Sequence, residues 1–295
     1  MKNIHIVSKY KMRWIEPISK YLSRYAKVSV SSSASPPNLI ETPDLVLFMW
    51  ADDIVLDYIN NEPKISKYIV FTRAYEYVEE WFPLINWGKV DRVICVNDYI
   101  AKAIEKIVKT KPPVIYNSVK KDYWKFANRR HGKNVAMVGF IHYKKNHAMA
   151  LQILSMLPED YTLHLAGDTQ HFDVINYLDN LAIQLNRKIY IYGQIKESNL
   201  DLWLEDKNYI LSTSMREGCP NNVIEAMAKG IKPVVHNWPG AKEQFGECVF
   251  NTIDEAVAMI SSDSPYNSDQ YLKCVNDKFS EDNFNKLAEI ILNEV

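Results

Sequence analysis

Short apolar runs alternate with helix-period stretches along most of this chain. In the first half the runs are Ile4–Val7, Val28–Val30, Asp44–Met49, Tyr68–Phe71 and Arg92–Val96. Short runs rich in β-branched side chains, bounded by polar segments, predict buried strands. Between them the spacing turns helical. Ile100, Ala103, Ile104, Ile107 and Val108 repeat at the three- and four-residue intervals of one apolar helix face. Lys111-Pro112-Pro113 interrupts this pattern, and Val114-Ile115-Tyr116 reads as one more short strand. The alternation restarts with Asn134–Gly139, Thr162–Gly167, Ile189–Gly193, Tyr209–Ser212 and Pro233–Val235. Such alternation predicts βαβ units and parallel sheets. The expected fold class is therefore α/β, with two doubly wound domains in 295 residues. Asn128-Arg129-Arg130-His131-Gly132 reads as the linker between a domain over 1–128 and a domain that begins at 133.

Composition changes this picture little. Apolar residues make up 47%, charged residues 24%, and the net charge is −1, which excludes a disordered chain and binding driven by overall charge. One stretch stands apart. Residues 102–133 carry ten Lys or Arg against Glu105 and Asp122. They read as a solvated helix and hinge, with a weak contact to an anionic acceptor or membrane surface as the sharper alternative. Cys95, Cys219, Cys248 and Cys274 form no C-x-x-C pair, and no cluster has metal-ligand spacing, so the expected metal is none. The apolar run Leu45–Ala51 is too short to span a membrane, and Met1–Ser8 is no signal peptide. The expected setting is cytoplasmic, with peripheral attachment to the inner face of a membrane as an extension.

The chemistry concentrates between Ser212 and Gly230, which read as strand, loop and helix. Pro220 suits a first helical turn, Val223, Ile224, Met227 and Ala228 form an apolar face, and Gly230 is placed to end the helix. Backbone N–H groups from Cys219 to Val223 would then point out of a helix N-terminus, an arrangement suited to phosphate. Glu217 and Glu225 flank this start, eight residues apart. Each carboxylate can accept two or more hydroxyl hydrogen bonds at once, so one could hold a sugar ring and the other a ribose. Three of the strands in this half end in a glycine, Gly139, Gly167 and Gly193, where the backbone can approach a ligand closely.

The segment Glu217-Gly-Cys-Pro-Asn-Asn-Val-Ile-Glu225-Ala-Met-Ala-Lys-Gly230, followed by Pro233-Val-Val235, resembles the E-x7-E signature of glycosyltransferase family 4. The likeness extends through most of the second half. Val138-Gly139 through Lys145-Asn146 resembles that family's first strand and lysine loop, Leu165-Ala-Gly167-Asp its second strand, and Tyr192-Gly193-Gln-Ile195 its nucleobase loop. Val114-Ile-Tyr-Asn117-Ser-Val119 resembles its short interdomain strand and turn. The resemblance implies a GT-B enzyme: two Rossmann-like doubly wound domains facing each other across a cleft. The first would hold the acceptor, residues 133–278 the nucleotide-sugar donor, and a helix within 279–295 would return to the first domain. It implies hexose transfer with retention, no required cofactor, a UDP- or GDP-linked donor and a glycan or lipid-linked acceptor, in glycan or surface-polysaccharide assembly.

Roles follow residue by residue from that resemblance. Glu217 would contact the hexose, Glu225 the ribose, and Lys145 the pyrophosphate. Gly139 and the backbone of Gly218, Cys219, Pro220, Asn221, Asn222 and Val223 would line the phosphate, and Ile195 would hold the base. The chain departs from the family at three places. Phe140 stands where arginine follows the first glycine, and Ser8-Lys9-Tyr10-Lys11-Met12 has no glycine. Arg73 and Glu76 stand where a histidine is usual; His142, Lys144 or Arg73 could compensate for the arginine replaced by Phe140, and Arg73 is carried as a candidate catalytic cation. These departures keep two rivals open: an inactive nucleotide-sugar-binding scaffold of the same fold, and transfer to DNA or protein, with nucleic acid the less favoured. Trp14, Trp81, Phe82 and Trp87 are candidates to line an acceptor groove, though core packing suits most of them better. His147 and His164 read as packed core residues.

Overall fold

The computed structural model describes residues 2–9, 15–31, 42–261 and 263–295. Tyr10, Lys11, Met12 and Trp14 of the loop and groove expectations lie outside these residues. The contacts divide the chain into two units, Met1–Asn117 with Glu281–Val295, and Ser118–Ser280.

The first unit runs β1 (Asn3–Val7), α1 (Ile15–Leu22), β2 (Lys27–Ser31), β3 (Leu45–Phe48), α2 (Asp53–Asn61), β4 (Lys67–Thr72), β5 (Arg92–Cys95) and α3 (Asp98–Val108). Among the described residues its sheet has the order β2-β1-β3-β4-β5, with every pairing parallel. All four residues of β3 are buried, which explains why it reads as one apolar run rather than an alternation. Each fully buried Leu, Val or Phe there contributes roughly 1.5–3 kcal/mol. Local caps start the helices. Asp52 accepts from the Ile54 and Val55 amides ahead of α2, and Asn97 accepts from the Ile100 amide at 2.8 Å ahead of α3. The expected strand Val114–Tyr116 is reduced to a single parallel bridge between Val114 and Cys95. Pro112 and Pro113 lack the N–H groups that a longer ladder would need.

The second unit runs β6 (Asn134–Val138), α4 (His147–Ser155), β7 (Thr162–Ala166), α5 (Phe172–Gln184), β8 (Lys188–Ile191), α6 (Glu197–Trp203), β9 (Tyr209–Ser212), α7 (Asn221–Ala228), β10 (Lys232–His236), α8 (Ala241–Phe245), β11 (Val249–Phe250), α9 (Ile253–Ile260) and α10 (Ser268–Lys278). The order β11-β10-β9-β6-β7-β8 is again wholly parallel. It places the reversal of strand order between β6 and β9. The last helix, α11 (Asp282–Glu294), belongs to the first unit and packs on α1.

The stretch read as a linker is anchored inside the second unit. Arg129 donates from Nε to the Lys229 carbonyl at 2.9 Å and from Nη1 to the Glu205 carbonyl at 2.7 Å. His131 bonds the Tyr209 hydroxyl and the Ser264 carbonyl, both at 2.8 Å. The units divide earlier, after Asn117. The basic stretch is therefore split between them, with Lys102, Lys106, Lys109 and Lys111 exposed on the first unit. A count of charges cannot separate an anchored arginine from a solvated lysine.

Candidate functional site

The carboxyl ends of β6 and β9, on either side of the reversal, bring the strongest predicted residues together. Lys145 Nζ lies 2.5 Å from Glu217 Oε1, and the Ser214 hydroxyl donates to the same oxygen at 2.7 Å. Gly139 sits beneath this pair: a Cβ there would stand 3.1 Å from Lys145 Cε and 3.3 Å from Nζ. The lysine loop is fixed from both sides. Thr213 Oγ1 donates to the carbonyls of Lys145 at 2.7 Å and Asn146 at 2.9 Å, while the Met215 amide donates to the Lys144 carbonyl at 2.8 Å. His142 Nδ1 accepts from the Lys144 amide at 3.1 Å, and Asn146 turns the chain through φ +49° into α4. Ser214 and Thr213 were not singled out by the sequence reading. Their signal is the Ser-Thr-Ser run that ends β9, a place where short hydroxyl side chains cap and brace loops.

The three strand-end glycines form one seam. The Gly139 amide donates to Ala166 O and the Gly167 amide to Gly193 O, each at 2.8 Å. A Cβ on Gly167 would lie 1.8 Å from the Gly139 carbonyl oxygen, so only glycine fits. Gly193 has φ +66° and open space where a Cβ would stand. Ile195, the expected base contact, is half-buried in the loop that follows.

Helix α7 begins one residue later than expected. Pro220 is its N-cap, and its carbonyl accepts from the Val223 amide at 3.2 Å and the Ile224 amide at 3.3 Å. Val223 therefore loses the outward N–H that the sequence reading gave it. Asn222 uses its side-chain amide on the Val138 carbonyl at 2.5 Å, tying the helix start to β6. Gly218 is pinned through its carbonyl by Gln244 Nε2 at 2.8 Å. Cys219 and Pro220 are buried and Asn221 half-buried. Glu225 is 8% exposed, far below the usual exposure of a helical glutamate. The helix ends as expected. The Gly230 amide donates to Met227 O and the Ile231 amide to Ala226 O, with Gly230 at φ +81°. Lys229, fully buried just before it, is held by the Asp201 and Glu205 carboxylates.

His147 and His164 are buried. His164 is bonded on both nitrogens, to Thr162 and Tyr192 at 2.9 Å each, and burial pulls it down to about 4. Burial and the neighbouring Lys145 and His142 pull His147 down to about 4 as well. Phe140, in place of arginine, is exposed, as is Lys144, while His142 stands edge-on to His171 at 4.7 Å between centroids.

Arg73, the third candidate catalytic residue, belongs to the first unit and follows β4. It is buried, donates to Asn117 Oδ1 at 2.6 Å and lies over the Phe71 ring. Glu76 is fully buried and accepts from the Arg73 amide at 2.8 Å, the Ala74 amide at 2.7 Å and the Ala51 amide at 3.5 Å. It thereby joins the loops after β3 and β4, and burial raises its pKa. Trp81 donates to the Ala51 carbonyl, Phe82 is buried, and Trp87 packs tilted against the Phe82 ring and donates to the Phe82 carbonyl. These three aromatics are packed or bonded within the first unit. Among the described residues no group of three or more His, Cys, Asp or Glu could hold a metal ion, and no helix is long and apolar enough to cross a membrane.

Residues 119–256 match the family model described as glycosyl transferases group 1. Among curated proteins no sequence matches the chain. Among solved structures, the chain is similar to HepE of Anabaena in complex with UDP and glucose, with TM-score 0.78, 13% identity and 100% of both chains covered. It is similar to sucrose-phosphate synthase of Thermosynechococcus elongatus at TM-score 0.79, with 11% identity and 99% of each chain covered. It is also similar to the apo lipopolysaccharide outer core galactosyltransferase WaaB, at TM-score 0.76, 15% identity and 100% of both chains. The fold is that of the GT-B glycosyltransferases. The match of residues 119–256 to that family model supports glycosyltransferase activity.

Proposed function

We propose that this chain is a retaining glycosyltransferase of the family 4 kind, moving a hexose from a nucleotide sugar to a glycan or lipid-linked acceptor. The observation that carries this reading is the Lys145–Glu217 pair, 2.5 Å apart over Gly139 at the reversal of the second sheet. Ligands of open α/β sheets bind outside the strand carboxyl ends at such a reversal. In this reading residues 118–280 hold the donor. Its diphosphate lies against Lys145, Gly139 and the loop 218–222, its hexose against Glu217, its ribose against Glu225, and its base along the Ile195 main chain. The first unit receives the acceptor.

The chemistry then needs no protein nucleophile. The bond from the sugar C1 to the phosphate oxygen breaks, its electrons remain on the diphosphate, and Lys145 offsets the new charge. The acceptor hydroxyl bonds to C1 on the face the phosphate leaves, and its proton passes to the departing phosphate oxygen. Configuration is thereby retained. A UDP-linked donor is the first to test, because the HepE structure holds UDP and glucose.

The test is a thermal-shift panel of UDP, GDP, ADP and CDP on the wild type and on Glu225→Ala. A nucleotide at about 100 times its dissociation constant adds roughly 2.7 kcal/mol. One nucleotide is expected to shift the wild type and to lose most of that shift in the variant. NMR of the product anomer then reads retention. No shift from any nucleotide would overturn the donor assignment, and an inverted product would overturn the mechanism.

A further inference from the structure

The first sheet has its own reversal of strand order, between β1 and β3, and the residues beyond it carry chemistry that the donor reading leaves unused. Lys9 follows β1, and its ammonium lies 2.8 Å from both carboxylate oxygens of Asp53. Trp50, Ala51 and Asp52 follow β3. Trp50 and Tyr75 come from the adjacent loops after β3 and β4, and their rings lie 5.5 Å apart at 35°. Both are half-buried. The buried Glu76 carboxylate fixes the two loops to each other through the Ala51, Arg73 and Ala74 amides. The aromatic pair therefore stands on a braced base.

Asp52 is 4% exposed. It accepts from the Ile54 amide at 3.1 Å and the Val55 amide at 3.3 Å, and both bonds use Oδ1. Among the described residues Oδ2 takes no hydrogen bond. Burial raises its pKa to about 6, with Asp53 adding to the rise and the two amides and Lys9 opposing it. A carboxylate so placed accepts hydroxyl hydrogen bonds readily and repels phosphate.

We propose that the carboxyl edge of the first sheet holds a sugar-ring subsite, in which Trp50 and Tyr75 pack on the ring face and Asp52 Oδ2 accepts its hydroxyls. An aromatic face beside a carboxylate matches a ligand with an apolar ring face and a hydroxyl rim. Two neighbouring carboxylates, only one of them paired with Lys9, disfavour a nucleotide. Calling this sugar the terminal residue of the acceptor rests on the proposed function; the subsite does not.

The test is saturation-transfer NMR on the full chain with methyl glycosides of glucose, galactose and N-acetylglucosamine, and with their octyl counterparts. At least one ring is expected to receive saturation. A free glycan predicts equal binding of methyl and octyl forms, and a lipid-linked one predicts preference for octyl. Trp50→Ala, Tyr75→Leu and Asp52→Asn should each weaken that sugar at least ten-fold while leaving the UDP thermal shift unchanged. Asp52→Asn keeps an oxygen for the α2 cap, so one variant remains folded if an aromatic replacement does not. Absence of saturation for every sugar, or equal binding by all three variants, would overturn the subsite. Loss of the UDP shift in the wild type would instead count against the donor reading.

Discussion

The two units share a parallel sheet and differ in what they place at its carboxyl edge. Eight of the nine glycines fall in residues 118–280, and Gly88 alone falls in the first unit. Among the described residues, every glycine with positive φ belongs to the second unit. There the backbone itself forms the floor of the site, and a single cation–carboxylate pair stands over it. In the first unit the strand ends carry side chains instead: Trp50, Asp52, Arg73, Tyr75 and Glu76. A bare backbone suits a diphosphate, which takes N–H groups and a cation. A side-chain surface suits a polyol, which takes ring faces and carboxylates. On the proposed reading, one sheet architecture serves two ligand chemistries through the residue types at its strand ends.

The largest expected effect tests the second unit's cation. Lys145→Ala should lower kcat about 10²–10³-fold, the range for removing one preorganised group that stabilises developing charge. Single-turnover transfer from the nucleotide sugar identified by thermal shift measures it. A loss below five-fold would mean that another cation does this work, and Lys144 would be the first to try. Next comes the glycine floor. Gly167→Ala forces a Cβ against the Gly139 carbonyl at a φ of +159° and should cost roughly 3 kcal/mol in stability. Urea unfolding reads that cost, and nucleotide binding should weaken with it, because the same carbonyl belongs to the Lys145 floor.

Much of this was legible in the sequence, for physical reasons that name particular residues. β3 reads as Leu-Val-Leu-Phe because both of its faces are covered, and β8 alternates Lys-Ile-Tyr-Ile because one of its faces is half open. Gly139, Gly167 and Gly193 mark their strand ends because Gly167 leaves no room for a Cβ and Gly139 and Gly193 hold positive φ. Family resemblance placed Lys145 and Glu217 at one donor, on the pyrophosphate and the hexose, but their direct contact was not legible, as 72 residues separate the partners. Three features were not legible. Arg129 looks like any linker arginine until its carbonyl partners, about 75 to 100 residues away, are in place. The Val114 bridge failed to extend because paired prolines remove donors, a local signal outweighed by the apolar run. Trp50 passed unnoticed because its partner Tyr75 comes from a different strand end.

The units should also part company in acid. Burial holds His147 and His164, both in the second unit, down to about 4 against 6.5 for a free histidine. Their lowered values favour the neutral ring in the folded state. The stability they contribute is complete above 6.5 and is lost as pH falls toward 4, at about 2–3 kcal/mol for the more deeply buried His147 by pH 4.5. Asp52 and Glu76, in the first unit, run the other way, since raised carboxyl values favour the protonated form. Asp52's share of stability is greatest below its free value and is lost as pH rises through about 6. Hydrogen exchange by mass spectrometry at pH 7 and 4.5 should show the amides of 118–280 losing protection first. Earlier loss in the first unit would contradict this assignment of buried charge.

The smallest effect is the sharpest control on the glycine contrast. Gly88 lies in the turn Trp87–Lys89, and a Cβ there would meet only the Asn86 side-chain oxygen, at 3.3 Å. Gly88 has no positive φ, so alanine fits the backbone. Gly88→Ala should leave stability unchanged or raise it by up to about 1 kcal/mol, by removing freedom from the unfolded chain. Urea unfolding beside Gly167→Ala puts the two glycines on one scale. A loss of more than about 1 kcal/mol at Gly88 would mean that the first unit also depends on bare backbone, and the division between a backbone-built site and a side-chain-built site would fail.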